Sequence, residues 1–227
     1  VGAGGIPLRQ LCTSREWTAV YLDEVAMVLV RNRPENAQWI ARLGVDCNTV
    51  QFAPPASRSA ADLFPFYSNV ASVLYLLGRD EEAWEALKRA GRIFAGDPNL
   101  YLVRGKLLEA GGRLAEAVAQ YETSLRVKET DGAWYVLGQA YFSQARYPEA
   151  ADALRRAADL SPNPYDRYRV LGETYLVMGR PREALRAFRD AERFSPYRGE
   201  TEALGAAFRA QLAAGRARAL QMLRAEQ

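Results

Sequence analysis

Along most of the chain, apolar residues recur three and four positions apart, the period of a helix with one buried face. The pattern sets in near Ala61 and predicts helices in pairs: 64–77 with 80–94, 99–110 with 114–127, 132–144 with 147–160, and 165–178 with 181–194. Pro148 and Pro181 open two of the second helices, where a missing amide hydrogen costs nothing. Pro98, Pro162 and Pro164 punctuate the joins, and Ala95-Gly96-Asp97 makes one join a bulged connection. Beyond Pro196 the rhythm continues over 200–213 and 217–225 with a turn at Gly215, which predicts a closing helix pair.

Upstream of Ala61 the period changes. Residues 16–22 (EWTAVYL) and 25–31 (VAMVLVR) are rich in β-branched and aromatic residues and flank Asp23-Glu24, so they predict a β-hairpin. Strict alternation puts Trp17, Ala19 and Tyr21 on one face and Thr18, Val20 and Leu22 on the other. Two strands alone are marginal in water and need a cover. A helix over 34–43, with Pro34 at its start, Asn32 as its cap and Gly44 at its end, is the candidate. Residues 45–52 predict a third short strand, 53–57 a linker, and 7–14 one helical turn. The first six residues (VGAGGI) lack the strand and the Lys-Ser/Thr of a phosphate loop, and predict a flexible chain end.

The helix pairs share more than a period. Trp134, Leu137-Gly138 and Tyr141 read W-x2-L-G-x2-Y, followed by Ala150, Leu154, Ala157 and Pro162. The same slots hold Tyr101, Gly105, Leu108, Ala117 and Tyr121; Tyr67, Ala71, Leu74, Ala83, Leu87 and Ala90; and Tyr168, Gly172, Tyr175, Ala184, Phe188 and Ala191. Between the helices of each pair stand Gly78, Gly112, Ala145 and Gly179, which are 34, 33 and 34 positions apart. Small residues at fixed slots let two helix backbones approach, and bulky ones fill the space beside them. This pattern resembles the tetratricopeptide repeat (TPR) family from about Ala61 to Pro196. The resemblance implies a mainly α fold, a right-handed α-solenoid. Four repeats would occupy 58–196, capping helices 197–227, and a small α/β segment 1–57.

A second resemblance lies in the hairpin. Trp17-x3-Tyr21-x-Asp23-Glu24-x2-Met27-x-Leu29-x-Arg31 is similar to a segment of bacterial polytopic membrane proteins of the glycosyltransferase type, where it follows the last span and precedes a TPR tail. It implies an extracytoplasmic module, periplasmic or on the cell surface, tethered through sequence upstream of Val1; a cytoplasmic protein is the alternative. Chain entry at Val1 and not at methionine is expected of a processed or excised piece. Cys12 and Cys47 flank the hairpin and helix. They are either a disulfide, favoured by an oxidising compartment, or two buried thiols.

The TPR resemblance places function on a concave face made by the first helix of each pair. Its candidate peptide-binding residues are Asn69, Ser72, Tyr75, Lys106, Tyr135, Gln139, Phe142, Arg169 and Glu173, with Val103 and Val170 among their neighbours. Tyr75, Tyr135 and Phe142 stand off the repeat register, so they are either ligand contacts or internally buried; the recurring Tyr and Trp slots are expected in the core. Chaperone-binding TPR domains clamp a terminal carboxylate with Lys, Asn and Arg. Here only Asn69 fits such a slot, and Ser68 and Gly132 hold the basic ones, which disfavours an acidic chain end as ligand. The expected partner is a protein or peptide segment.

Composition narrows the rest. Of 227 residues, 49% are hydrophobic and 25% charged, with a net charge of +3 spread along helices, so nucleic acid is not an expected partner. There is no histidine, and two cysteines are too few for a structural zinc site. Carboxylates such as Asp23, Glu24 and Glu173 have no spacing that implies acid/base work, so neither catalysis nor a cofactor is expected. No run of 18 apolar residues is present to span a membrane.

Overall fold

A computed structural model describes residues 8–12, 14–22, 25–56, 59–195 and 203–225. The expected end at 1–6, the Asp23-Glu24 turn, Ser57 of the linker and the stop at Pro196 lie outside the described residues. The chain divides into two compact units, Val1–Gly111 and Gly112–Gln227.

Unit one begins with helix α1 (Leu8–Cys12) and the antiparallel strands β1 (Trp17–Leu22) and β2 (Met27–Arg31). The register runs from Trp17 opposite Arg31 to Leu22 opposite Met27, with a shift between Ala19 and Tyr21. Val20 is therefore an extra residue, and it overturns strict alternation: Ala19 is buried and Leu22 turns inward after it, while Tyr21 is half exposed. The cover also differs from expectation. A 3₁₀ turn (Pro34–Asn36) and helix α2 (Ala37–Leu43) bury no residue, and the inward side chains Ala19, Leu22, Met27 and Leu29 pack instead with Val73, Leu77 and the two cysteines. Asn32 caps no helix. It accepts a hydrogen bond from Thr18 Oγ1 at 2.7 Å and donates to the Arg15 carbonyl at 2.9 Å, closing the hairpin base. Residues 45–52 form no strand. Val45 donates to the Ala19 carbonyl, and Asp46 then folds a turn by accepting from the Asn48 amide and Thr49 Oγ1, bonds that hold its carboxyl below the usual range.

Cys12 and Cys47 are joined as a disulfide with Cα atoms 5.9 Å apart, so the two-thiol reading fails. Closing a loop across 35 positions contributes about 3–4 kcal/mol on the chain-entropy estimate.

Helix α3 (Ala60–Leu77) starts one turn earlier than expected because Ser59 accepts from the Asp62 amide and caps it. Pro65 consequently lies inside the helix. Helices α4 (Asp80–Ile93) and α5 (Pro98–Ala110) follow, and Phe66, Val70, Leu74, Leu87, Leu100 and Leu107 form their shared core. Although Asp62, Ser68, Asn69 and Ser72 interrupt its apolar run, α3 is by length and composition alone apolar enough to cross a membrane; its Phe66, Val70, Ala71, Leu74 and Leu77 are buried in the packing of a repeat helix.

Unit two holds α6 (Leu114–Val127), α7 (Asp131–Ser143), α8 (Tyr147–Leu160), α9 (Tyr165–Val177), α10 (Pro181–Arg193) and α11 (Ala203–Ala225). Here the small slots are decisive. A Cβ at Gly138 would stand 2.8 Å from Leu154 Cγ of α8, and one at Gly172 would stand 2.7 Å from Phe188 Cε1 of α10. The closing pair expected over 200–225 is a single helix. Gly215 does not turn the chain: a Cβ there would lie 2.6 Å from Phe188 Cζ, so its small size serves close packing.

The turns within pairs share one design. Gly78, Gly112, Ala145 and Gly179 have φ of 75°, 74°, 57° and 68°. In three of them the next residue, Arg79, Arg146 or Arg180, donates its amide to the carbonyl five residues back (Leu74, Tyr141, Tyr175), the helix-ending bond of a Schellman motif. The same arginine carbonyl accepts the first bond of the second helix. Its guanidinium forks back to a glutamate three residues on: Arg79–Glu82, Arg113–Glu116, Arg146–Glu149 and Arg180–Glu183. Arg79 also reaches the Val50 carbonyl at 2.8 Å, tying the N-terminal segment to the first repeat. Arginine partners hold Glu82, Glu116 and Glu183 below the usual carboxylate range, and Glu149 is lowered by its own amide and then by Arg146. The pairs therefore support the fold at neutral pH and are lost as pH falls through these depressed values.

Ala145 alone fills a left-handed turn slot with a side chain, which carries a penalty of about 1–2 kcal/mol. Ala145→Gly should raise unfolding free energy by about 0.5–1 kcal/mol, the gain being reduced by glycine's larger unfolded-state entropy. Urea unfolding checks this, and a loss of stability would contradict the strain. Separately, alkylation of the denatured protein should label no thiol before reduction and two after it. Labelling before reduction would contradict the disulfide.

Candidate peptide-binding site

The nine expected groove residues divide between the units. On the first helices of unit two, three come together. Arg169 of α9 donates through Nη1 to Glu173 Oε1 at 3.1 Å and through Nε to Asp166 Oδ1 at 3.4 Å. Tyr135 of α7 is half-buried against the unit's core, and its hydroxyl is pushed up by burial and then by Asp166, with Arg169 and Arg167 opposing. Glu173 therefore shares one charged neighbourhood with Tyr135 and Arg169. Two members were not legible in the sequence. Arg167 stands 4.8 Å over the Tyr135 ring and donates to Asp131 Oδ2 at 2.7 Å, 36 positions away, a pairing that no local spacing announces.

The other candidates are less suited. Phe142 packs edge-to-face on Tyr147 at 5.3 Å, so its ring serves the α7–α8 turn. Gln139 is half-buried, and its carbonyl accepts from Ser143 Oγ. In unit one, Ser72 Oγ donates to the Ser68 carbonyl, Asn69 is exposed and Lys106 half-buried. Tyr75 packs against the α3–α5 core, its hydroxyl pushed up by burial and then by Glu109 and Asp80. Val103 is 8% exposed and belongs to the core, so it cannot line a groove.

The recurring aromatic slots are not simply core. Tyr175 is buried, but Tyr67, Tyr101, Trp134, Tyr141 and Tyr168 are only partly so. Arginines stand over several rings, at 4.3 Å for Arg146 on Tyr141 and 5.1 Å for Arg180 on Tyr175. These are the arginines of the turn design, and the R-x-x-E-A spacing at 79, 113, 146 and 180 was the sequence signal for it.

Residues 102–163 match the family model of the tetratricopeptide repeat. Helix pairs at this period, with these slots, have the fold of TPR proteins. Solved structures agree at the level of fold. MamA from Desulfovibrio magneticus RS-1 is 19% identical with a TM-score of 0.55, over 74% of this chain and 99% of that one. PilF from Pseudomonas aeruginosa is 19% identical with a TM-score of 0.58, over 72% and 82%. YrrB, described as a TPR protein with an unusual peptide-binding site, is 24% identical with a TM-score of 0.53, over 72% and 84%. No curated protein sequence matches the chain significantly.

Proposed function

We propose that this chain is a non-enzymatic scaffold that holds a protein or peptide segment on the first-helix faces of its repeats. The carrying observation is the Tyr135–Arg169–Glu173 group. A half-buried ring offers apolar area, and ionic side chains around it are already fixed by Asp166, Asp131 and Arg167. A ligand meeting such a surface gives up little of its affinity to ordering the receptor's side chains. Mixed charge supports a polypeptide over nucleic acid, because Asp131, Asp166 and Glu173 offset Arg167 and Arg169 where a phosphate track would need a positive stripe. The peptide-binding site named for YrrB supports the same use of the fold.

A second reading adds place to this role. The Cys12–Cys47 disulfide favours an oxidising compartment, which suits an extracytoplasmic accessory module of a membrane-embedded glycosyltransferase-like protein that positions an acceptor. Hydropathy of the gene upstream of Val1 decides it: a series of spans supports the module, and a cytosolic start removes it.

For the groove, Arg169→Ala combined with Glu173→Ala should weaken capture of the natural partner at least roughly tenfold, the loss of a charge-assisted pair or two. Melting temperature should stay near that of the parent. Undiminished capture by the folded variant would reject this face.

A further inference from the structure

A separate cavity of about 580 Å³ opens in unit two along α7 and α8. Trp134 and Tyr141 line it with Glu149, Asp152, Arg156 and Asp159, none of them in the group described above. The polar ends of both rings are already engaged. Trp134 Nε1 donates to Glu129 Oε1 at 2.8 Å and the Tyr141 hydroxyl to Glu122 Oε1 at 3.1 Å, which leaves the π faces as the aromatic contribution. Arg146 stands over Tyr141, and Arg155 is held by the Tyr175 hydroxyl and Asp152. Among the described residues, no cation stands over Trp134.

Unit one carries the same cavity in another state of completion. A space of about 410 Å³ there is lined by Tyr67, Leu74, Glu82, Glu85, Ala86 and Arg89, among others. Each of these six lies 67 positions before its counterpart Trp134, Tyr141, Glu149, Asp152, Ala153 or Arg156. In unit one the Arg89 guanidinium stands 5.5 Å over the Tyr67 ring, beside the carboxylates. The repeat thus displays what its own cavity accepts. In unit two the ring is tryptophan, the strongest aromatic partner for a cation, and Asp159 adds a carboxylate. Arg156, the counterpart of Arg89, lines the cavity without covering the ring.

We propose that the Trp134 cavity is a binding site for an arginine side chain of a partner polypeptide, the guanidinium lying on the indole face between Asp152 and Asp159. It does not depend on the first-helix face, and the two stand or fall separately.

The test titrates the full chain with the blocked tripeptide acetyl-Gly-Arg-Gly-amide and its citrulline twin, following the Trp134 indole N–H by NMR, assigned with Trp134→Phe. The arginine peptide should shift that resonance saturably, with Kd on the order of millimolar for a single side chain. The citrulline peptide, isosteric but uncharged, should bind at least roughly tenfold more weakly, as should Asp152→Asn with Asp159→Asn against the arginine peptide. Arg156→Ala should bind as well as the parent or better, because it removes a competing cation. Equal shifts from both peptides, no shift from either, or parental affinity in the Asp152/Asp159 variant with its melting curve intact would overturn the site.

Discussion

Everything in the second unit depends on how closely helix backbones approach at a few side-chain-free positions. Leu154 is fully buried over Gly138, and the ring of Phe188 is wedged between Gly172 of α9 and Gly215 of α11. Distances of 2.6–2.8 Å to a would-be Cβ leave no room for a methyl group. Close-packed interiors turn such a constraint into a specification of geometry, since a shift at one contact is passed to the next. A glycine in a helix interior costs about 1 kcal/mol in propensity, so its recurrence implies that the approach is worth more than that. The equivalent slot in α3 holds the buried Ala71, so the first repeat accommodates one methyl group where Gly138 and Gly172 leave room for none.

The turns add a polar counterpart to this apolar rule. A single arginine ends one helix through its amide, starts the next through its carbonyl, and bridges to a glutamate on the new first turn. Apart from Arg79, whose side chain is only 11% exposed, these pairs are exposed enough that each contributes only modestly to stability, so their service is to geometry. The C-terminal helix shows the rule by its absence. Gly215-Arg216 begins the same motif, but the third residue on is Ala219, and Arg216 pairs instead with Glu192 of α10 at 2.8 Å. Without the fork, and with Gly215 needed against Phe188, the helix runs through.

The repeats were legible because small and large side chains recur with one period, a signal that survives substitution of Trp134 by Tyr or of Gly138 by Ala. Elements without a repeat were less so. The hairpin's two runs were visible, but the bulge at Val20 was not, since nothing in WTAVYL marks which residue is extra. Pairing of Cys12 with Cys47 depends on the fold that brings them together, and cysteine count alone could not decide it. At the candidate site, the TPR resemblance picked out Tyr135, Arg169 and Glu173 but not Asp131 and Arg167, which meet only because α7 and α9 are neighbours. Phe142 shows the converse: helical spacing places a side chain on a face without saying what already occupies it.

Function follows from the same economy of positions. Between the slots fixed by packing the chain sets the Tyr135 ring among ion pairs, and in the aromatic slot of α7 it sets the Trp134 indole beside carboxylates. The close approach beneath both is tested by the unfolding free energies of Gly138→Ala, Gly172→Ala and, as control, Gly132→Ala, whose added Cβ meets nothing within 4 Å. Helix propensity alone would make all three neutral or stabilising, by up to about 1 kcal/mol. Overpacking predicts that Gly138→Ala and Gly172→Ala lose about 1–3 kcal/mol while Gly132→Ala does not. A gain in stability at Gly138 and Gly172 would contradict the account.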